Sequence, residues 1–140
     1  LPSAELVCVD PKRVHEIWPL VAPLLRQATA RTGLSAFTDI ERDILAGGAL
    51  LWLAVRDEES GPTLDAAAST VLQHTDVGKV CVITACAGTG MSRWLPLISG
   101  IENYARDEGC SCVRIFGRKG WLRVLKGYRA QHFVMDKDLN

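Results

Sequence analysis

Two glycines one residue apart, Gly88 and Gly90 with Thr89 between them, follow an apolar run and precede a stretch of helical spacing. Glycine lets the backbone curl. The amides of such a turn, and of a helix starting just after it, then converge on one point where aligned peptide dipoles favour negative charge. A phosphate group suits that place, although two glycines at this spacing also serve simply as a tight turn. The run before them, Val80 to Thr84 (VCVIT), predicts a strand buried on both faces. After them, Met91, Trp94, Leu95, Ile98, Ile101 and Ala105 recur at three and four residues and predict one face of a helix.

Other residues with chemistry to offer are scattered. His74 and Asp76, at the end of the predicted return strand, are the types that could deprotonate an amine near neutral pH, but a solvated turn is the stronger reading of them. Cys86 is a nucleophile only if a base lowers its pKa, and no sequence neighbour supplies one. His15, His74 and His132 lack metal-ligand spacing, so no metal is expected. Five cysteines, an odd number without a C-x-x-C pair, lie partly in apolar strand-like sequence and read as reduced, buried thiols of a cytoplasmic protein.

The elements that would position these residues belong to one domain over residues 1–140: 48% hydrophobic and 23% charged residues fit a globular chain with a sizeable core. Sixteen basic residues balance sixteen acidic ones, so bulk charge gives no reason to expect nucleic acid. The longest apolar run, Ala46 to Val55, is too short for a bilayer, and neither a membrane anchor nor a signal peptide is evident.

In chain order, Glu5 to Val9 predicts a strand, and Asp10 with Pro11 starts a helix running to Arg31 and closed by Gly33. Pro19 and Pro23 should kink or split it. Thr38 with Glu41 reads as a capping box for a second helix, Asp39 to Ala46, ended by Gly47 and Gly48. Ala49 to Arg56 and Leu64 to His74 predict a hairpin around the charged turn 57–63. Thr75 to Lys79 turns into the Val80 strand. Beyond the long helix, Ser111 to Phe116 predicts a strand parallel to Val80–Thr84, because a helix carries the chain back. A short helix, Trp121 to Lys126, and a closing strand, Gln131 to Lys137, complete the chain. The expected core includes Trp52, Val55, Val82, Trp94, Ile98, Ile101, Val113, Ile115, Leu122 and Leu125.

This order of elements resembles the GNAT acyltransferase superfamily along nearly the whole chain. The family's pyrophosphate motif is Arg or Gln, two residues, Gly, one residue, Gly or Ala, and Ala85-Cys86-Ala87-Gly88-Thr89-Gly90 falls in register with it. Gly127 with Tyr128 is similar to the Gly-Phe that ends the family's last helix. The resemblance implies an α/β (α+β) fold: a mixed, mostly antiparallel sheet with one parallel strand pair and helices on both faces. It also implies binding of acetyl-CoA through Val82, Ile83, Thr84, Gly88, Thr89 and Gly90, with transfer of an acyl group to an amine. Three positions depart from the pattern. Ala85 replaces the loop's Arg or Gln, Pro96 falls in the pyrophosphate helix, and Arg123 stands where many members have a Tyr that protonates the thiolate. Tyr128 and Tyr104 are substitutes by proximity only, so catalytic residues stay unassigned.

Arg114, Arg118, Lys119, Arg123, Lys126 and Arg129 crowd the end of the chain, while Asp39, Glu41, Asp43, Asp57, Glu58, Glu59 and Asp65 load its middle. The basic group suits CoA phosphates, an acidic partner, a second copy of the chain, or plain solvent. The Gly117-Arg118-Lys119-Gly120-Trp121 turn and the eroded loop are also similar to short GNAT-like proteins of prophage clusters. That similarity implies a non-catalytic alternative, an interaction protein using the Arg118 to Arg129 face or a sheet edge.

Overall fold

Five strands form one sheet in the order of the chain, in a computed structural model that describes residues 4–140. β1 (Glu5–Cys8), β2 (Leu50–Glu58), β3 (Gly61–Thr75) and β4 (Gly78–Gly88) are successive antiparallel neighbours, and β5 (Cys112–Ile115) joins β4 in parallel. Tight turns at Glu59–Ser60 and Asp76–Val77 suffice for the two long hairpins, whereas the parallel pair needs a helical crossover. The expected mixed sheet with its single parallel pair is therefore present.

One face is covered by α1 (Val14–Thr32) and α2 (Phe37–Leu45). Asp10 accepts a hydrogen bond from the Lys12 amide at 3.0 Å and starts a 3-10 turn leading into α1, and Gly33, at φ 64°, closes that helix. Pro19 and Pro23 do not split it. Both lie on the exposed side, where water can solvate the carbonyls they leave free, while Val14, Trp18, Val21 and Leu25 bury the opposite side against the sheet. The expected capping box does not form: α2 begins at Phe37, capped by Ala36 without a side-chain bond. Phe37 takes that first position because its ring stacks on Trp18, 5.9 Å between centroids. Glu41 instead accepts the Trp18 indole N–H at 2.7 Å.

The other face carries α3 (Met91–Trp94), a 3-10 turn (Leu95–Leu97) and α4 (Ile98–Asp107). The single helix expected from Met91 is interrupted where Pro96 removes an amide. Trp52, Ala68, Cys81, Ile83, Ile101 and Ala105 form the core on this side, continuous with Trp94, Ile98 and Leu125 near the β4–α3 junction. α5 (Trp121–Val124) is a single turn, and Leu122, expected in the core, is 43% exposed on it. One turn presents one face, and Trp121 with Leu125 takes the inward one.

The expected strand Gln131 to Lys137 does not form, and residues 129–140 pair with no strand. Phe133, Val134 and Met135 are instead exposed, Phe133 and Met135 by 82% and 90%. The five thiols are free, and the expectation that they are buried holds only in part. Cys81 is buried, but Cys8 and Cys112, on the two edge strands, are exposed.

Candidate active site

Pairing between β4 and β5 runs from Val80 opposite Cys112 to Ile83 opposite Ile115 and stops there. β4 continues to Gly88, bonded to β3 on one side and to no strand on the other. A bulge falls at the same point: β3 pairs Thr70 with Ile83 but Ser69 with Ala85, so Thr84 is the extra residue. The Thr84 hydroxyl donates to the Ser69 carbonyl at 3.2 Å, which holds the bulge. Bulges bend a strand, and this one falls where the pairing of β4 with β5 ends. Past Ile83 and Ile115 this leaves a gap in the pairing of the sheet, with a backbone edge along 84–88 that has no strand partner on that side. Beside the bulge, the Ser69 hydroxyl is the only buried side-chain polar atom without a hydrogen-bond partner among the described residues.

The two glycines lie at the far end of this edge and do different work. Gly88 is still in β4, opposite Ala66, and a Cβ there would fall on the Asp65 carbonyl and 2.7 Å from the Ala66 Cα. Close strand approach requires it. Gly90 has φ 64°, and a Cβ there would fall inside the Arg93 guanidinium. The Thr89 amide is already taken by the Asp65 carbonyl at 2.8 Å, whereas those of Gly90, Met91 and Ser92 have no acceptor among the described residues. The Trp94 indole N–H donates to the Thr89 carbonyl at 3.1 Å, so the turn is held from inside.

The charged centre of this junction is a residue that the sequence marked only as one of the acidic side chains loading the middle of the chain. Asp65 is the extra residue of a second bulge, where β3 pairs Ala66 with Ala54 but Leu64 with Val55. Its side chain is only 1% exposed. Its carboxylate accepts from Arg56 Nε at 2.7 Å and from Arg93 Nε and an Arg93 terminal nitrogen at 3.2 and 3.1 Å. Arg56 also pairs with Glu58. The Arg93 hydrogen bonds, against the opposing effect of burial and with help from Arg56, hold the Asp65 carboxyl below its ordinary value. A signal was present in the sequence: Asp65 stands inside the run LDAAAS of a predicted strand, and a charge on a buried strand needs a partner.

Val82 and Ile83 pair with Arg114 and Ile115, Thr84 opens the gap, and Gly88, Thr89 and Gly90 close its far end. Of the other candidates only Cys86 lies on that edge. His74 pairs with Lys79, four residues along β3 from the Thr70–Ile83 pair where the gap opens, roughly 13 Å away at strand rise. Burial pushes the Cys86 thiol up to about 12, far from a thiolate at neutral pH. Tyr104 packs edge-on against Trp52, 5.3 Å between centroids, and burial raises it to about 12. The Tyr128 hydroxyl donates to Glu102 at 2.7 Å, and burial together with that bond raises its pKa. Arg123 is exposed on α5. Among the described residues, no three His, Cys, Asp or Glu side chains are grouped as a metal site would need.

No family model matches this sequence, and no curated protein matches it. Solved structures do match in three dimensions. A Trypanosoma brucei acetyltransferase superposes with a TM-score of 0.65 at 18% identity, over 97% of this chain and 99% of the other. A GNAT family acetyltransferase from Staphylococcus aureus gives 0.61 at 11% identity over 98% and 99%. The chain has the GNAT fold. A predicted acetyltransferase from Clostridium acetobutylicum, solved with acetyl-CoA, superposes on this GNAT-fold chain with a TM-score of 0.65 at 14% identity over 97% and 96%. Identities this low speak for the fold alone. Among the described residues of this GNAT-fold protein, no helix is long and apolar enough to cross a membrane.

Proposed function

We propose that the protein binds an acyl-CoA, acetyl-CoA being the simplest, in the gap between β4 and β5, and passes the acyl group to an amine by positioning alone. The observation that carries this reading is the free edge of β4 from Thr84 to Gly88. A pantetheine arm has amide groups that can pair with such an edge as an added strand would, so affinity does not depend on the side chains the loop has lost. Val82 and Ile83 lie at the base of the gap, Thr84 at its mouth, and Gly88, Thr89 and Gly90 toward the diphosphate. Positioning contributes much of the barrier reduction in acyl transfer, but an acid for the leaving thiolate is missing. Tyr128 is engaged with Glu102, and an arginine such as Arg123 does not release a proton at neutral pH. A slow enzyme follows from that. A neutral amine attacks the thioester carbonyl, the C–S bond breaks, and the amine's surplus proton passes to the leaving thiolate or to water. With no assigned base either, activity rises at alkaline pH, where more of the amine is already neutral.

Calorimetry with acetyl-CoA, followed by incubation with primary amines and chromatographic detection of free CoA, tests both halves. Chromatography is needed because the protein's own five thiols would obscure a thiol reagent. Binding heat and amine-dependent CoA release are expected. Absence of heat at millimolar ligand, with folded protein, would defeat the reading.

A second reading, a non-catalytic interaction protein, is favoured by the far end of the chain. Phe133, Val134 and Met135 are exposed, and among the described residues none of the six basic side chains from Arg114 to Arg129 makes a salt bridge. Concentration-dependent association in ultracentrifugation, without CoA release, would support it.

A further inference from the structure

We propose that Arg93 is the residue that grips the diphosphate of the nucleotide part of CoA, and that Asp65 holds it in place until the ligand arrives. The inference rests on the acyl-CoA reading above and deepens it. Ala85 leaves the turn without the side chain the family motif carries there, and α3, with four residues, is too short for its end to supply much charge. Between Lys79 and Arg106 the only cation in the sequence is Arg93. Its guanidinium lies across Gly90, in the turn where the amides of Gly90, Met91 and Ser92 have no acceptor among the described residues.

Two guanidinium groups share the one buried carboxylate of Asp65, and they differ in how readily they can leave it. Arg56 is 15% exposed and bonds at 2.7 Å, while Arg93 is 38% exposed and bonds at 3.1 and 3.2 Å. Arg93 is the releasable partner. When it turns to a phosphate, Arg56 stays on Asp65, so no buried carboxylate is left alone, and Glu58, 37% exposed, can be hydrated if Arg56 loosens its hold. The planar fork that now meets a carboxylate also fits two phosphate oxygens. Arg93 thus exchanges one anion for another without crossing a neutral environment.

Titration calorimetry of the full chain with CoA, with ADP (which carries the same diphosphate) and with pantetheine (which lacks it) separates the roles. R93A is expected to weaken CoA and ADP about 10- to 100-fold, the worth of a charge-assisted hydrogen bond, and to leave pantetheine unchanged. R93K should fall between, because an ammonium keeps the charge but loses the fork. If R93A folds poorly, R93Q retains a hydrogen bond to Asp65 without the charge and should show the same selective loss. Equal affinity of wild type and R93A for CoA and ADP would overturn the inference while leaving acyl-CoA binding intact. So would a matching loss for pantetheine, which would make Arg93 a structural residue only. Arg93-dependent binding of ADP without binding of CoA would support the anion site and defeat the acyl-CoA reading; no binding of any of the three would overturn both.

Discussion

Replacing Asp65 by alanine tests whether the buried carboxylate holds the β3–β4–α3 junction together. The substitution removes the acceptor of three hydrogen bonds at 2.7, 3.1 and 3.2 Å and leaves Arg56, 15% exposed, with only Glu58 as partner. Removing one member of a buried ion pair costs about 3–5 kcal/mol, and the partial exposure of Arg93 argues for the lower figure, near 3 kcal/mol. For a chain of this size that is a fall in Tm of about 10 °C. R93A should cost less, about 1 kcal/mol, because Asp65 keeps Arg56 and the freed Arg93 position is half open to water. Thermal and denaturant unfolding followed by circular dichroism gives both values. Acid adds a second readout with a defined sign. The carboxyl is held below its ordinary value in the folded state, so its contribution is complete above the unfolded pKa and is lost as pH falls through the folded one, below about pH 4. D65A should lack that part of the acid limb. A loss under about 1 kcal/mol at neutral pH, or an unchanged acid limb, would refute the view that the junction depends on this carboxylate.

Leu25, fully buried between α1 and the sheet, should cost about 2–5 kcal/mol on replacement by alanine, measured by urea unfolding. The Trp52 indole donates to the Thr70 hydroxyl at 2.9 Å inside the core, so W52F should leave that hydroxyl without its partner and destabilise by about 1–3 kcal/mol in the same assay. In the folded protein at pH 8, iodoacetamide should label the exposed Cys112 quickly and Cys86 slowly, since burial pushes the Cys86 thiol up to about 12; mass spectrometry of the alkylated peptides reads the order. Combined F133D and M135D should leave Tm unchanged because both side chains face water; a drop of several degrees would mean that they pack against this chain or a second copy.

Gly88 shows why a motif read from sequence is an ambiguous guide to mutagenesis. Its position at a strand-to-helix turn suggested an anion loop, yet in the structure its missing Cβ is what lets β4 lie against Asp65 and Ala66. A bulky residue there would disrupt strand pairing whether or not CoA binds, so loss of binding in such a variant would say little about the site. Arg93 offers the cleaner test.

The sequence by itself determined the elements whose signals are local. Apolar period and glycine punctuation marked the β4–turn–helix unit, the two hairpins and the helix closed by Gly33, because backbone geometry over a few residues imposes them. Pro96 likewise marked the interruption before α4, since a missing amide acts where it stands. The parallel β4–β5 pair followed from the same local reading, as a helix between two strands must bring the chain back. What only the tertiary structure decided depends on pairing between distant segments. The bulges at Thr84 and Asp65 are register differences between strands, invisible in either strand alone; one falls where the β4–β5 pairing ends, and the other accompanies the buried Asp65. Glu41 looked like half of a capping box until Trp18, twenty-three residues earlier, provided a better donor. Asp65 and Arg93 are twenty-eight residues apart, and a buried carboxylate is stable only beside the guanidinium groups that the fold alone brings to it.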